Sequence, residues 1–201
     1  MGSIRDRRTN LAEAFVASFE KFDDMLATDH SDAVEWQLAF GDPDQYGCRR
    51  WRPAKVETDR ALLDSLYAKL PARFPPLYEE LVLSYRWAEV DLSNYRLRAN
   101  PPGPGLTRLW EEMSKDDFLF KTLIHGGYVP FGKGSDVDYD PVCFDLSVRK
   151  KNSEYRIMKI DHEEILCHSR IRIVGELAKS FEDLVVQTIE RARHSKKRTS
   201  N

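Results

Sequence analysis

The stretch "GYVPFGKGSDVDYD", from Gly127 to Asp140, places two kinds of ligand chemistry side by side. Gly127, four further residues and then Gly132-Lys133 follow the spacing of a loop whose backbone N–H groups cradle nucleotide phosphates. Gly134 stands where that loop needs a Ser or Thr hydroxyl for magnesium, and the residues beyond read as carboxylates and a strand rather than a helix. Asp136, Asp138 and Asp140 repeat the first three ligand positions of an EF-hand calcium loop. Pro141 then replaces the glycine of the sharp turn, and Ser147 replaces the bidentate acid at the twelfth position. Neither loop is complete. What remains is an acidic connection between strands, with Gly132 and Gly134 as its turn-forming residues.

"HEEILCH", from His162 to His168, approaches the zinc-protease pattern, which sets two histidines four residues apart on one helical face. Leu166 occupies the second position, and no other pair of Cys or His stands at zinc-site spacing to join His162, Cys167 and His168. No nucleophile-elbow sequence is present. The expectation is a protein without catalytic residues, metal or cofactor. The run Arg191, Arg193, Lys196, Lys197 and Arg198 reads as a solvated tail rather than a nucleic-acid contact.

The elements that must position these residues follow from hydrophobic spacing. Leu11, Phe15, Phe19, Phe22 and Leu26 predict a helix over 9–28, with Asn10 and Glu13 as a capping box. "FGDPDQYGCRRWRP", from Phe40 to Pro53, is a connector. Further helices are expected over 58–69, from Pro75-Pro76 onward, over 106–114 and over 118–124. Alternation predicts a hairpin over 87–97 turning at Ser93-Asn94. It also predicts strands at "VCFDLS" (142–147), "YRIMKI" (155–160) and "RIRIV" (170–174), with the charged "RKKNSE" as a turn. Ser180 caps a last helix bearing Phe181, Leu184, Val185 and Ile189. Helices, then an antiparallel strand series, then a closing helix indicate an α+β fold.

The 201 residues suit one domain with an extension, and 41% apolar content suits a globular core. A net charge of −2 supplies no general attraction to nucleic acid or to an anionic membrane. Three widely spaced cysteines, Cys48, Cys143 and Cys167, and no signal-peptide run point to the cytoplasm. No apolar run approaches the ~18 residues of a membrane span.

Taken in order, "LPARFPPLYEELVLSY" (70–85), "YVPFGKGSDVDYDPVCFDLS" (128–147), "IMKIDHEEI" and "ELAKSFEDLVVQTI" resemble the SUKH superfamily, the Smi/Knr-like domains. The likeness spans roughly residues 51–190; residues 1–50 form a helix and connector packed on that domain, and 191–201 a basic disordered tail. Tyr85-Arg86-Trp87 departs from the family, many of whose members have an Asn-Gly turn there. The resemblance implies a central, curved, mostly antiparallel sheet flanked by helices and a non-enzymatic role in binding proteins. Many bacterial members look like immunity proteins that neutralise nuclease or deaminase toxins, and eukaryotic relatives act as regulators or adaptors. Against a nuclease with a basic cleft, Asp136, Asp138 and Asp140 could steer association and mimic phosphate charge, with Tyr139 as an aromatic anchor. The same aspartates could equally serve only to keep a sheet turn soluble. A scaffold for an endogenous protein, or a metal-dependent hydrolase built on the carboxylates and His162, are the competing readings.

Overall fold

Six strands pair in strict chain order: β6 (Val90–Asp91), β7 (Arg96–Leu97), β8 (Tyr128–Lys133), β9 (Pro141–Asp145), β10 (Arg156–Ile160) and β11 (Ile173–Ala178), each antiparallel to the next. The computed structural model describes residues 4–22, 25–27, 38–135, 137–147 and 154–194. The charged turn expected at 149–154 lies largely outside them, as does Asp136.

Seven helices accompany the sheet among the described residues: α1 (Ile4–Ser18), α2 (Leu62–Tyr67), α3 (Pro76–Ser84), α4 (Thr107–Met113), α5 (Asp117–His125), α6 (His162–His168) and α7 (Phe181–His194). The architecture is α+β. A three-stranded sheet of β1 (Leu26–Ala27), β3 (Arg49–Trp51) and β2 (Ala39–Phe40), and a pair formed by β4 (Ala54–Lys55) and β5 (Tyr85–Arg86), complete it.

The central strands bury both faces. Val129, Phe144 and Ile157 lie in register across β8, β9 and β10 and face the larger core. There Phe131 and Phe144 stack at 4.3 Å, and Phe181 of α7 meets both rings edge-on. Tyr78 of α3 packs into the same group. On the opposite face Cys143, Met158 and Ile160 meet Leu119 and Leu123 of α5 and Ile165 of α6. The sheet is therefore the middle of three layers. Alternation predicts a covered and a polar face for "VCFDLS"; in fact Cys143 and Asp145 are as buried as their neighbours because α5 and α6 roof that side.

Several boundaries move. The first helix begins at Ile4 and gives way after Ser18 to a single 3₁₀ turn, so Asn10 and Glu13 lie inside it and form no capping box. Its buried positions, Ala12, Phe15 and Ser18, with Phe19 just beyond, dock on α7 and α3. Leu26, expected on the helical stripe, is in β1 and exposed. The strand expected at 170–174 runs instead from Ile173 to Ala178, since Ile171 turns inward to the second core.

Gly132 is not a turn residue. It lies within β8, where a Cβ would stand 2.8 Å from the Arg96 carbonyl oxygen of β7, so the missing side chain permits strand contact. Beside it Phe131 is the bulged residue, unpaired with β9, and its ring faces the same core as Val129. Gly134 ends the strand, and a Cβ there would collide with the Asp138 carboxylate.

Candidate protein-binding loop

The β8–β9 connection is closed at its base by the Gly134 N–H, which donates to the Asp140 carbonyl at 2.9 Å. Inside it the Asp138 N–H donates to the Ser135 carbonyl at 3.0 Å and the Asp140 N–H to Asp138 Oδ1 at 2.9 Å. Short aspartate side chains that accept from backbone two residues on are the usual stabilisers of such turns. Three hydrogen bonds among the described residues thus fold the loop on itself.

Two of the carboxylates turn inward. Lys159, projecting from β10, pairs with Asp138 and lies 3.8 Å from Asp140. Asp140 Oδ1 also accepts from the His162 backbone N–H at 3.0 Å and lies 2.8 Å from His162 Nδ1. A carboxylate can only accept, so Nδ1 carries the proton of that bond. Burial alone would raise the Asp138 carboxyl, but hydrogen bonds from Lys159 and the Asp140 N–H, with the Lys159 charge, outweigh it and hold the group below its ordinary range.

The flank is balanced in the same way. Lys133 Nζ lies 2.9 Å from Glu89, Arg96 reaches Glu89 at 3.6 Å and Asp91 at 3.2 Å, and the Ser135 hydroxyl lies 3.0 Å from Asp91. Among the described loop residues, Val137, 85% exposed, and Tyr139, 59% exposed, project to solvent. The Tyr139 ring stands edge-on to the His162 imidazole at 6.0 Å between centroids. Sequence reading singled out Tyr139 but not Val137 or Lys159, and spacing held no sign that a lysine two strands on would reach the loop.

His162 is positioned by α6, an element that strand alternation does not predict. Asp161 caps it by accepting from the Glu164 N–H at 2.9 Å and pairs with Arg172, whose guanidinium holds the Asp161 carboxyl low. The signal was present, since Asp161 and Glu164 stand at capping-box spacing. Ser169, with φ 53°, ends the helix in the left-handed region.

The residues of the incomplete zinc pattern do not converge. His162 is bound to Asp140, Cys167 is exposed, and His168 lies 3.5 Å from Glu164. Among the described residues no three of His, Cys, Asp and Glu are grouped so as to hold a metal ion. Cys143 is fully buried in β9, where desolvation pushes its thiol up and leaves it a poor nucleophile.

No family model, curated protein or solved structure matches this chain. The loop must be interpreted from its own geometry. Among the described residues, no helix is long and apolar enough to cross a membrane.

Proposed function

We propose that this chain is a protein-binding domain without catalytic activity, an immunity protein that neutralises a toxin of the nuclease or deaminase class by docking on it. The observation that carries the binding role is the exposure of Tyr139 and Val137 on a loop whose described carboxylates, Asp138 and Asp140, are paired with Lys159 and His162. A rigid tyrosine gives much contact area at small entropic cost, and aromatic anchors dominate interface energetics. The SUKH-like sequence pieces supply the toxin-neutralising part of the reading.

Lys159 and His162 occupy Asp138 and Asp140, so the anchor contributes through packing more than through long-range attraction. Capture on the full chain from its native cells, followed by expression of the recovered protein alone and with this chain, tests the reading. Toxicity relieved by coexpression supports it; a harmless housekeeping partner makes the chain a regulatory scaffold instead. With the partner in hand, Tyr139→Ala is expected to weaken binding about tenfold and Val137→Ser less. Unchanged affinity in both variants removes the loop from the interface.

A further inference from the structure

A groove with about 310 Å³ of water-accessible space opens beside α2, walled by Val56, Thr58, Leu62 and Pro102 and floored in part by Arg86. Gly105, with φ 61°, joins the lining just before α4, where a Cβ would meet the Leu62 side chain at 3.5 Å. Arg86 is only 6% exposed, yet it has no ion-pair partner among the described residues. Its Nη1 donates to the Val82 and Tyr85 carbonyls at 2.8 and 3.0 Å, and Nη2 donates to Thr58 Oγ1 at 2.7 Å. Those three bonds use three of the five N–H donors of a guanidinium.

Closing the C-terminus of α3 accounts for only part of the charge, because the helix end offers a partial negative charge. Asn100 Nδ2 donates to the same two carbonyls at 3.1 and 2.7 Å, so a neutral side chain already serves them. A buried cation is costly unless an anion accompanies it, and burial here pulls the Arg86 pKa down with no opposing carboxylate. Among the described residues no carboxylate completes that partial charge, which leaves the two unused N–H donors of Arg86 for an anion from outside.

We propose that the groove is a carboxylate-binding site in which Arg86 and Thr58 hold the anion while Val56, Leu62 and Pro102 receive the hydrocarbon that carries it. A carboxylate fits better than a phosphate, because Glu57 and Asp59 are exposed at the rim and repel a dianion more strongly than a single charge. The carboxylate can belong to a glutamyl side chain on a partner or to a small free acid. The site uses none of the loop residues, so its failure leaves the reading of Tyr139 untouched.

The test is a ¹H–¹⁵N titration of the full chain near neutral pH, with ionic strength held constant by chloride. Valerate, acetyl-Ala-Glu-Ala-amide and inorganic phosphate are the probes. Valerate or the blocked peptide is expected to shift the Arg86 Nε–H and the Thr58 and Gly105 amides saturably, with a dissociation constant on the order of millimolar. The tighter of the two identifies the source. Phosphate is expected to bind about tenfold more weakly. Glu57→Gln, an exposed change that leaves the core alone, is expected to tighten the carboxylate about twofold to threefold. A folded Arg86→Gln loses the response. No saturable shift from either carboxylate, equal shifts from phosphate, or an unchanged affinity in Glu57→Gln overturns the proposal.

Discussion

Glu154, just before β10, is held in its protonated form nearly to neutrality. Burial raises its pKa most, Glu182 adds to it and Asp183 adds less, while the Phe181 N–H and Arg8 act in the opposite sense, and the result is about 7 against an ordinary 4.5. The folded state therefore binds this proton more tightly than the unfolded chain does. Stability from this group is complete below about pH 4.5 and is lost as pH rises through about 7. Asp145 behaves in the reverse way. Its burial would raise it, but hydrogen bonds from Ser147 and Arg156 prevail and keep it low, so its contribution is lost as the solution is acidified through its depressed pKa. Glu154→Gln should flatten the decline between pH 5 and pH 8. At pH 8 the variant is expected to be about 1–2 kcal/mol more stable than the parent once solvent screening is allowed for. Urea unfolding at the two pH values measures the difference; an equal decline in both proteins rejects the role of Glu154.

At the scale of elements, β8 shows why a correct strand came with an incorrect glycine. Gly132 flanked by Pro130 and Pro141 reads as a turn, because glycine before a polar run has that meaning in most sequences. Its actual constraint is the Arg96 carbonyl of a strand more than thirty residues earlier, which local spacing does not encode. Gly132→Ala is expected to cost about 1–3 kcal/mol, because the obstacle is backbone and cannot swing aside. Gly175→Ala, with open space around its Cβ, should change denaturant midpoint far less, and parity between the two would remove the close-approach argument. The strands at 141–145 and 156–160 and the helix from Pro76 were legible because apolar spacing and a proline start are local signals. Helix α6 carried only its cap signal and no apolar stripe, being short with one buried side chain, Ile165. The last strand was obscured by two register shifts against β10. Those bulges also blunt an edge on which Ile173 and Val174 are exposed.

At the scale of the molecule, the α+β class was readable from element order, while the three-layer arrangement was not, because it depends on α5 and α6 covering a face that alternation marks as polar. The candidate loop was partly readable as well. Its acidic character was plain in sequence, but the commitment of Asp138 and Asp140 to Lys159 and His162 is a tertiary fact. The larger core is organised around Phe181, which meets the rings of Phe15, Tyr78, Phe131 and Phe144. Phe181→Ala is expected to lower unfolding free energy by about 3–5 kcal/mol, read from chemical denaturation. A loss under about 1 kcal/mol would show that these rings repack without it.

The position of Phe181 along the chain has a consequence for synthesis. The sheet is a meander, so each strand can find its partner as soon as it leaves the ribosome, long before the closing helix exists. During that interval the Tyr78, Phe131 and Phe144 rings of α3, β8 and β9, which touch one another, lack the ring that covers them and joins them to Phe15 of α1. Ribosome-bound chains of this protein should be sticky until the segment around residue 181 has emerged, and a stall just before it would produce a natural client for a chaperone that recognises exposed aromatic surface.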